Sequence, residues 1–304
     1  MNELVTDIKS LELETIKNLK NSKAPNTLRA YQADFKNFSS FCIKNGLSSM
    51  PTEPKILSIY LTHLSKTSKF STLKRRIASI SVIHKMKGHY LDTKHPIIME
   101  NLLGIKRTFG SRQSPKKPIL INDLKSIINV IDEEKINGKR DKSIILIGFA
   151  GGFRRSELVN IEHEDVEFVQ EGVKIVIKRS KTDQSGEGNI KAIPYFNNEK
   201  YCPVKALKNY MSYEFSKSNK GKIFDVSDKS VALIVKKYAS IAGLDSNKYA
   251  GHSLRSGFAT STAESGAEER NIMAMTGHKT TQMVRRYIQE ANLFKNNALN
   301  KIKL

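Results

Sequence analysis

Two cysteines in 304 residues, Cys42 and Cys202, cannot build a disulfide framework, and they lack metal-ligand spacing. So few thiols in a chain this long fit a reducing compartment and ordinary packing. No run of about 18 apolar residues occurs, so no membrane-spanning helix is expected. The opening residues, MNELVTDIKSLELE, lack the basic start and apolar middle of a signal peptide, so the expected location is cytoplasmic. Acidic residues are also short. Thirty Asp and Glu stand against 51 Lys and Arg, a formal charge of +21. An excess this large points to a polyanionic partner, most often DNA or RNA. Acidic lipid is the alternative, but no basic amphipathic helix with an aromatic apolar face supports it.

Hydrophobic residues make up 39% of the chain, enough for packed cores, and its length fits two domains. The charge is unevenly spread. Residues 1–23 hold four basic and four acidic residues. Residues 24–114 hold 15 and four, net +11, and residues 115–304 hold 32 and 22, net +10. The middle segment is about twice as densely positive as the rest, which marks it as a nucleic-acid-gripping module with salt-sensitive affinity.

Periodicity predicts a leader helix in residues 1–23, interrupted at Ala24-Pro25-Asn26. A four-helix module then spans 24–110. Its first helix, capped by Asn26 or Thr27, carries Leu28, Tyr31, Phe35, Phe38 and Phe41 on one face to about Asn45. Three more run from about Glu53 to Leu64, from near Ser71 to Gly88, and from about Ile97 to Phe109. Residues 111–118, within GSRQSPKKP, read as an exposed linker. Within the basic segments, Lys74, Arg75, Arg76, Arg112, Lys116 and Lys117 are the candidate DNA contacts. A second domain spans 119–290, with helices at 122–135, 139–149 and about 155–161. A strand follows at Val173–Lys178, then a turn at Ser185–Gly188, a partner strand at Ile190–Tyr195, and a helical pattern from Pro203. The expected class is mainly α (α+β): an N-terminal helical bundle and a mixed α/β domain with a small sheet or hairpin.

Cleaving a phosphodiester without a metal requires a nucleophile, cations on the non-bridging oxygens, a proton for the leaving oxygen, and groups that orient them. Five stretches of the second domain offer candidates. In GGFRRSEL, two glycines precede a helix start, a bend that presents Arg154 and free backbone N–H groups to an anion. Arginine suits that task because its planar fork bonds two phosphate oxygens. Lys181 lies in the loop after the strand. In GHSLRS, His252 and Arg255 share a helix face. His278 follows Gly277, and Tyr287 lies nine residues further on. Taken singly, each has an ordinary explanation: a helix break with surface arginines, a solvated lysine, a core or surface tyrosine.

Taken in order, Arg154, Lys181, His252, Arg255, His278 and Tyr287 resemble the Arg…Lys…His-x-x-Arg…His/Trp…Tyr series of the tyrosine recombinase (phage integrase) family. The words GGFRRSEL, GHSLRSGFAT and MTGHKTTQMVRRYI match too, and the likeness covers about residues 24–290. The first glycine of GGFRRSEL departs from a common family threonine, with no expected effect on the chemistry.

The resemblance implies a site-specific recombinase working through a 3′-phosphotyrosine and a Holliday junction. Arg154 and Arg255 would clamp the phosphate, Lys181 would protonate the 5′-oxygen, and Tyr287 would attack. His252 would handle the nucleophile's proton or share the phosphate, His278 would donate a hydrogen bond, and Glu157 would orient the first histidine or simply charge a helix start. It implies no cofactor, because the phosphotyrosine conserves the bond energy, and no metal, because two arginines replace its charge. It also implies a clamp on double-stranded DNA and a homo-tetramer on paired sites, with accessory DNA-bending proteins possible. Protomers would exchange the tail, residues 291–304, or that tail would pack on its own domain. A separate arm-binding domain is not expected. A type IB topoisomerase shares this chemistry, and a non-catalytic DNA-binding regulator shares the fold. The tail argues against the first and the complete residue set against the second.

Overall fold

The structure, a computed structural model, describes residues 8–110, 116–178, 188–214, 220–291, 300 and 302. It divides into two compact units, residues 1–114 and 115–304. The first contains α1 (Ile8–Asn21), α2 (Pro25–Lys44), α3 (Pro54–Ser65), α4 (Phe70–Met86) and α5 (Pro96–Phe109). Proline opens α2, α3 and α5, at the position where a missing N–H breaks no helical bond. The cap expected at Asn26 or Thr27 is therefore displaced upstream. Ala24 holds the cap position without a side-chain bond, and Pro25 supplies the preset φ.

Phe38, Leu57, Tyr60, Leu61, Leu73, Ile80 and Ile98 form the centre of this unit's core. The Phe38 and Tyr60 rings meet edge-on with centroids 5.0 Å apart. Of the expected α2 face, Phe38 is fully buried, and Phe35 and Phe41 pack at its margin. Asp34 is also buried, which the pattern does not announce. Its carboxylate accepts from Ser79 Oγ at 2.8 Å and from Arg75 Nη1, the partners a buried charge needs. Arg76 Nη1 donates to Asn37 Oδ1 at 2.7 Å and to Tyr60 Oη at 2.6 Å. Arg75 keeps about half of its side chain exposed, whereas Arg76 is mostly covered. Lys74 lies over the Phe70 ring.

The second unit runs α6 (Ile121–Asn129), α7 (Ile136–Ala150), α8 (Arg155–Leu158), β1 (Val166–Val169), β2 (Gly172–Ile177) and β3 (Asn189–Pro194). It continues with α9 (Pro203–Glu214), α10 (Asp228–Ile241), α11 (His252–Glu264), α12 (Glu269–Thr276) and α13 (Thr281–Ala291). The sheet is antiparallel in the order β1-β2-β3, with Val169 opposite Gly172 and Gly172 opposite Pro194. The expected hairpin is its β2–β3 half. β1 has only four residues and no clean alternation, so it carries little signal. α6 stops well before the expected residue 135 because Asp132 Oδ1 accepts from the Glu134 backbone, closing a turn instead of a helix.

From Asp141 to Ala150, α7 is buried all round, as a central helix must be. Its one buried carboxylate, Asp141, accepts from Arg140 and from Tyr238 Oη. The end of the expected linker is docked rather than solvated. Lys117 N bonds Lys248 O at 2.8 Å, and Ile119 N bonds Ser253 O at 3.0 Å. Lys116 Nζ donates to Asn247 O, and Lys117 Nζ reaches Asp123 and Tyr249 Oη. Residues 111–115, with Arg112, lie outside the described residues, as do 1–7 and most of the tail. Just past β2, Lys178 Nζ is held by Glu162 at 2.7 Å, Asp165 at 3.1 Å and Glu164. The nearby acidic trio thus surrounds an ammonium.

Candidate active site

Two turns and one helix build the site. α7 ends at Gly151, and Gly152 takes φ +54°, the left-handed conformation that glycine adopts freely. A Cβ at Gly152 would come within 3.0 Å of Phe258. The turn does not leave the free N–H groups expected from the sequence. Gly151, Gly152 and Phe153 donate back to Ile147, Phe149 and Gly148. Arg154 N donates to Glu157 Oε2 at 2.9 Å and caps α8. The anion donors of this turn are therefore side chains.

Arg154 Nη1 pairs with Glu157 Oε1, and Nη2 donates to Gly277 O at 3.1 Å. Both Glu157 oxygens are engaged by Arg154, so the acid holds the arginine, where the resemblance has it orient a histidine. Arg255, on α11, is 1% exposed, a rare state for a guanidinium. Its Nη1 donates to Gly152 O at 2.7 Å, and its Nη2 bonds His278 Nε2 at 3.1 Å. Burial, and then Arg154, push its pKa down to about 10, against the pull of Glu157.

His278 follows the left-handed C-cap Gly277 of α12. The Thr276 hydroxyl donates to Ile272 O at 2.6 Å, so its oxygen accepts from His278 Nδ1 at 2.8 Å. That leaves Nε2 to accept from Arg255. To donate to a phosphate through Nε2, His278 must first give up Arg255 and move its proton. Burial, followed by Arg255 and Arg154, lowers the His278 pKa to about 4. Below the ordinary 6.5 the unfolded chain takes up this proton first, so the neutral imidazole's stabilising effect is full above about 6.5 and is lost toward 4. Thermal melts between those limits should show a smaller acid-induced fall for His278→Gln than for the parent chain. Equal slopes would contradict the assignment.

His252 opens α11 and is exposed at the rim. Partial desolvation, and then Arg255, Arg155 and Arg154, lower its pKa, which favours a neutral imidazole able to accept a proton. Tyr287, on α13, is half-buried, with its ring centroid 6.3 Å from that of His278. Val284 of the same helix packs with Ala259, Ala263 and Ile272, and Tyr287 and Ile288 lie against that cluster. Lys181 lies outside the described residues. A lysine that the sequence does not single out, Lys191 of β3, is also here. It is buried, and its Nζ bonds Gly151 O at 2.6 Å and Met275 O.

Arg154 pairs with Glu157, and Arg255 and Lys191 lie near enough for that one carboxylate and Arg154 to act on both. Desolvated cations in such excess are costly unless an anion joins them. The phage integrase family matches residues 118–293. This chain belongs to that family. It is a tyrosine recombinase, an enzyme of site-specific DNA recombination. The integrase/recombinase xerD homolog of Selenomonas ruminantium is 41% identical over 316 residues, covering 99% of this chain and 92% of the relative. Tyrosine recombinase XerC of Syntrophus aciditrophicus (strain SB) is 25% identical over 296 residues, covering 91% of each. Among solved structures, XerH bound to palindromic difH in a post-cleavage complex has a TM-score of 0.62 at 16% identity, covering 81% of this chain and 73% of that one. That likeness shows a shared recombinase fold. The site residues therefore lie in the part of the recombinase that the family match spans.

Proposed function

We propose that this recombinase cuts one DNA strand by attack of the Tyr287 oxygen on a phosphorus clamped by Arg154 and Arg255. The P–Oη bond forms as the P–O5′ bond breaks, giving a 3′-phosphotyrosine and a 5′-hydroxyl. A phenol of ordinary pKa near 10 must lose its proton on attack. The neutral rim imidazole of His252 accepts it, and Lys181 supplies the proton to O5′. Attack by a partner strand's 5′-hydroxyl reverses each transfer and rejoins the DNA, through a Holliday junction.

The single observation that carries this reading is the excess of desolvated cations beside Tyr287: Arg255 is 1% exposed, with Arg154 bonded to the neighbouring Gly277 carbonyl. A phosphate placed among them takes the donors now resting on Gly152 O, Gly277 O and His278, and the two guanidiniums stabilise its pentavalent state. Lys74, Arg75, Arg112, Lys116 and Lys117, with the mostly covered Arg76 as a weaker candidate, hold the duplex backbone. The XerH relative is described as bound to its difH substrate, which agrees with double-stranded DNA as the partner. Residues 291–304 dock on a neighbouring protomer in a homo-tetramer on paired sites, with accessory DNA-bending proteins where site geometry demands them. The enzyme works in the cytoplasm, and among the described residues no helix is long and apolar enough to cross a membrane.

A nicked suicide substrate tests the chemistry. The parent chain should give an SDS-resistant protein–DNA complex, and Tyr287→Phe should give none. An adduct formed equally by both, or by neither, would overturn the reading.

A further inference from the structure

Lys191 occupies a place where a strand normally puts an apolar side chain. It shares the inward face of β3 with Ile193, and both are nearly inaccessible, whereas the adjacent Ile190 is 63% exposed. A lysine ammonium is strongly hydrated, so drying it needs compensating partners. Its Nζ donates to Gly151 O at 2.6 Å and to Met275 O, and it lies 4.6 Å from the centroid of the Phe153 ring.

These two carbonyls belong to the two turns that build the site. Beyond Gly151 in the first turn, Gly152 O receives Arg255, and Arg154 follows. Beyond Met275 in the second, Gly277 O receives Arg154, and His278 receives Arg255. The turns are far apart in sequence; Arg154 reaches from the first to the second, and Arg255 reaches both from α11. Lys191 bonds both turns at once from β3. The arginines can shift from carbonyls to a phosphate, whereas Lys191 is enclosed and its bonds can persist throughout.

Taking the site to be a recombinase's, we infer that Lys191 is a positioning residue whose ammonium ties the Arg154 turn to the His278 turn and sets the separation of the groups that receive the phosphate. It acts through two backbone carbonyls and does not touch the DNA. The charged groups facing it are Glu157 from α8, Arg154 at its cap, Arg255 from α11 and, in the second turn, the neutral His278. Burial pushes Lys191 down to about 8, Arg255 and Arg154 add to the shift, and Glu157 opposes it. As pH rises through that value the ammonium becomes an amine with two N–H groups and a lone pair. The carbonyl bonds lose their charge assistance, and the site loses one positive charge.

Single-turnover cleavage of a suicide substrate, from about pH 6.5 to 9.5, separates this role from simple packing. Lys191→Met and Lys191→Arg are compared with the parent chain, alongside DNA affinity and thermal unfolding. Parent cleavage should fall above about pH 8. Lys191→Met should cleave about 100-fold more slowly at neutral pH, keep its DNA affinity and lack that alkaline fall. Lys191→Arg, charged throughout, should recover about tenfold over the methionine variant and hold its rate beyond the parent's fall. A folded methionine variant cleaving at the parent rate, or an alkaline fall unchanged in either variant, would overturn the inference. Should methionine prevent folding, the arginine variant's pH profile decides alone. A parent chain that forms no covalent complex, or a Tyr287→Phe chain that forms one, marks failure of the recombinase reading itself and takes this role with it.

Discussion

Replacing Arg154 with alanine should lower single-turnover DNA cleavage by about 10³-fold or more while leaving DNA affinity nearly unchanged. The two effects separate because they have different physical sources. Duplex affinity would come from many Lys and Arg side chains on backbone phosphates, drawn from the 51 in this chain, and removing one shifts it little. On the proposed mechanism the scissile phosphate gains further charge only in the transition state, and Arg154 would be one of the two guanidiniums that meet it. Arg154→Lys should fall between, because lysine keeps the charge but not the fork that spans Glu157 and Gly277 O. Measured on the same oligonucleotide, a Kd that collapses as far as the cleavage rate would show Arg154 to be a binding residue instead.

A large stability effect should come from a methyl group on α11. A Cβ added to Gly257 would lie 2.0 Å from the carbonyl oxygen of Ile119, with the carbonyl carbon and nitrogen of that residue within about 3 Å. All three atoms are backbone, and Ile119 is itself fixed by its N–H bond to Ser253 O and is wholly buried. No side chain can swing away, so the segment or the helix must move. Gly257→Ala should therefore destabilise the second unit by about 3 kcal/mol, or roughly 6–12 °C in Tm for a unit of this size. Because α11 also carries His252 and Arg255, cleavage should fall with it. Gly104→Ala is the control. It lies in the middle of α5 with nothing within 4 Å of the added carbon, so it should be neutral or slightly stabilising. Indistinguishable melts for the two variants would show that α11 does not pack as tightly as described.

Local signals in the chain foretell its structure, and tertiary ones do not. Most helices of both units announce themselves because their apolar residues recur every three or four positions; α7, buried all round, lacks such a stripe, and Pro25, which reads as a break, in fact opens α2. β1 escapes because four residues hold at most two inward positions. The early end of α6 escapes because an aspartate side chain closing a turn, Asp132, looks the same in sequence as one on a helix surface. At the site, Arg154, Arg255, His278 and Tyr287 are legible through the spacing of the family's motif. What spacing cannot convey is tertiary. It does not show that the N–H groups of the Gly151–Phe153 turn are already engaged, or that Glu157 supports Arg154. Nor does it show that Thr276 fixes the tautomer of His278. Lys191 leaves a faint trace, a lysine in step with Ile193 on a half-buried strand. Read as ordinary alternation, that strand would put Ile190 inside and Lys191 outside, and burial reverses the two. Asp34 is the parallel case in the helical unit: an acid among the aromatic residues of α2, explained only by Arg75 and Ser79 arriving from α4.

On the proposed mechanism one phenolic oxygen carries the broken DNA end. The chain has ten tyrosines, so a covalent complex alone does not say which. Digesting the trapped complex and sequencing the DNA-bearing peptide by mass spectrometry settles it. The predicted result is a single nucleotide-modified peptide, the one that contains Tyr287, linked through that residue to a 3′-phosphate. Attachment at any other residue, or to a 5′-phosphate, would contradict the account.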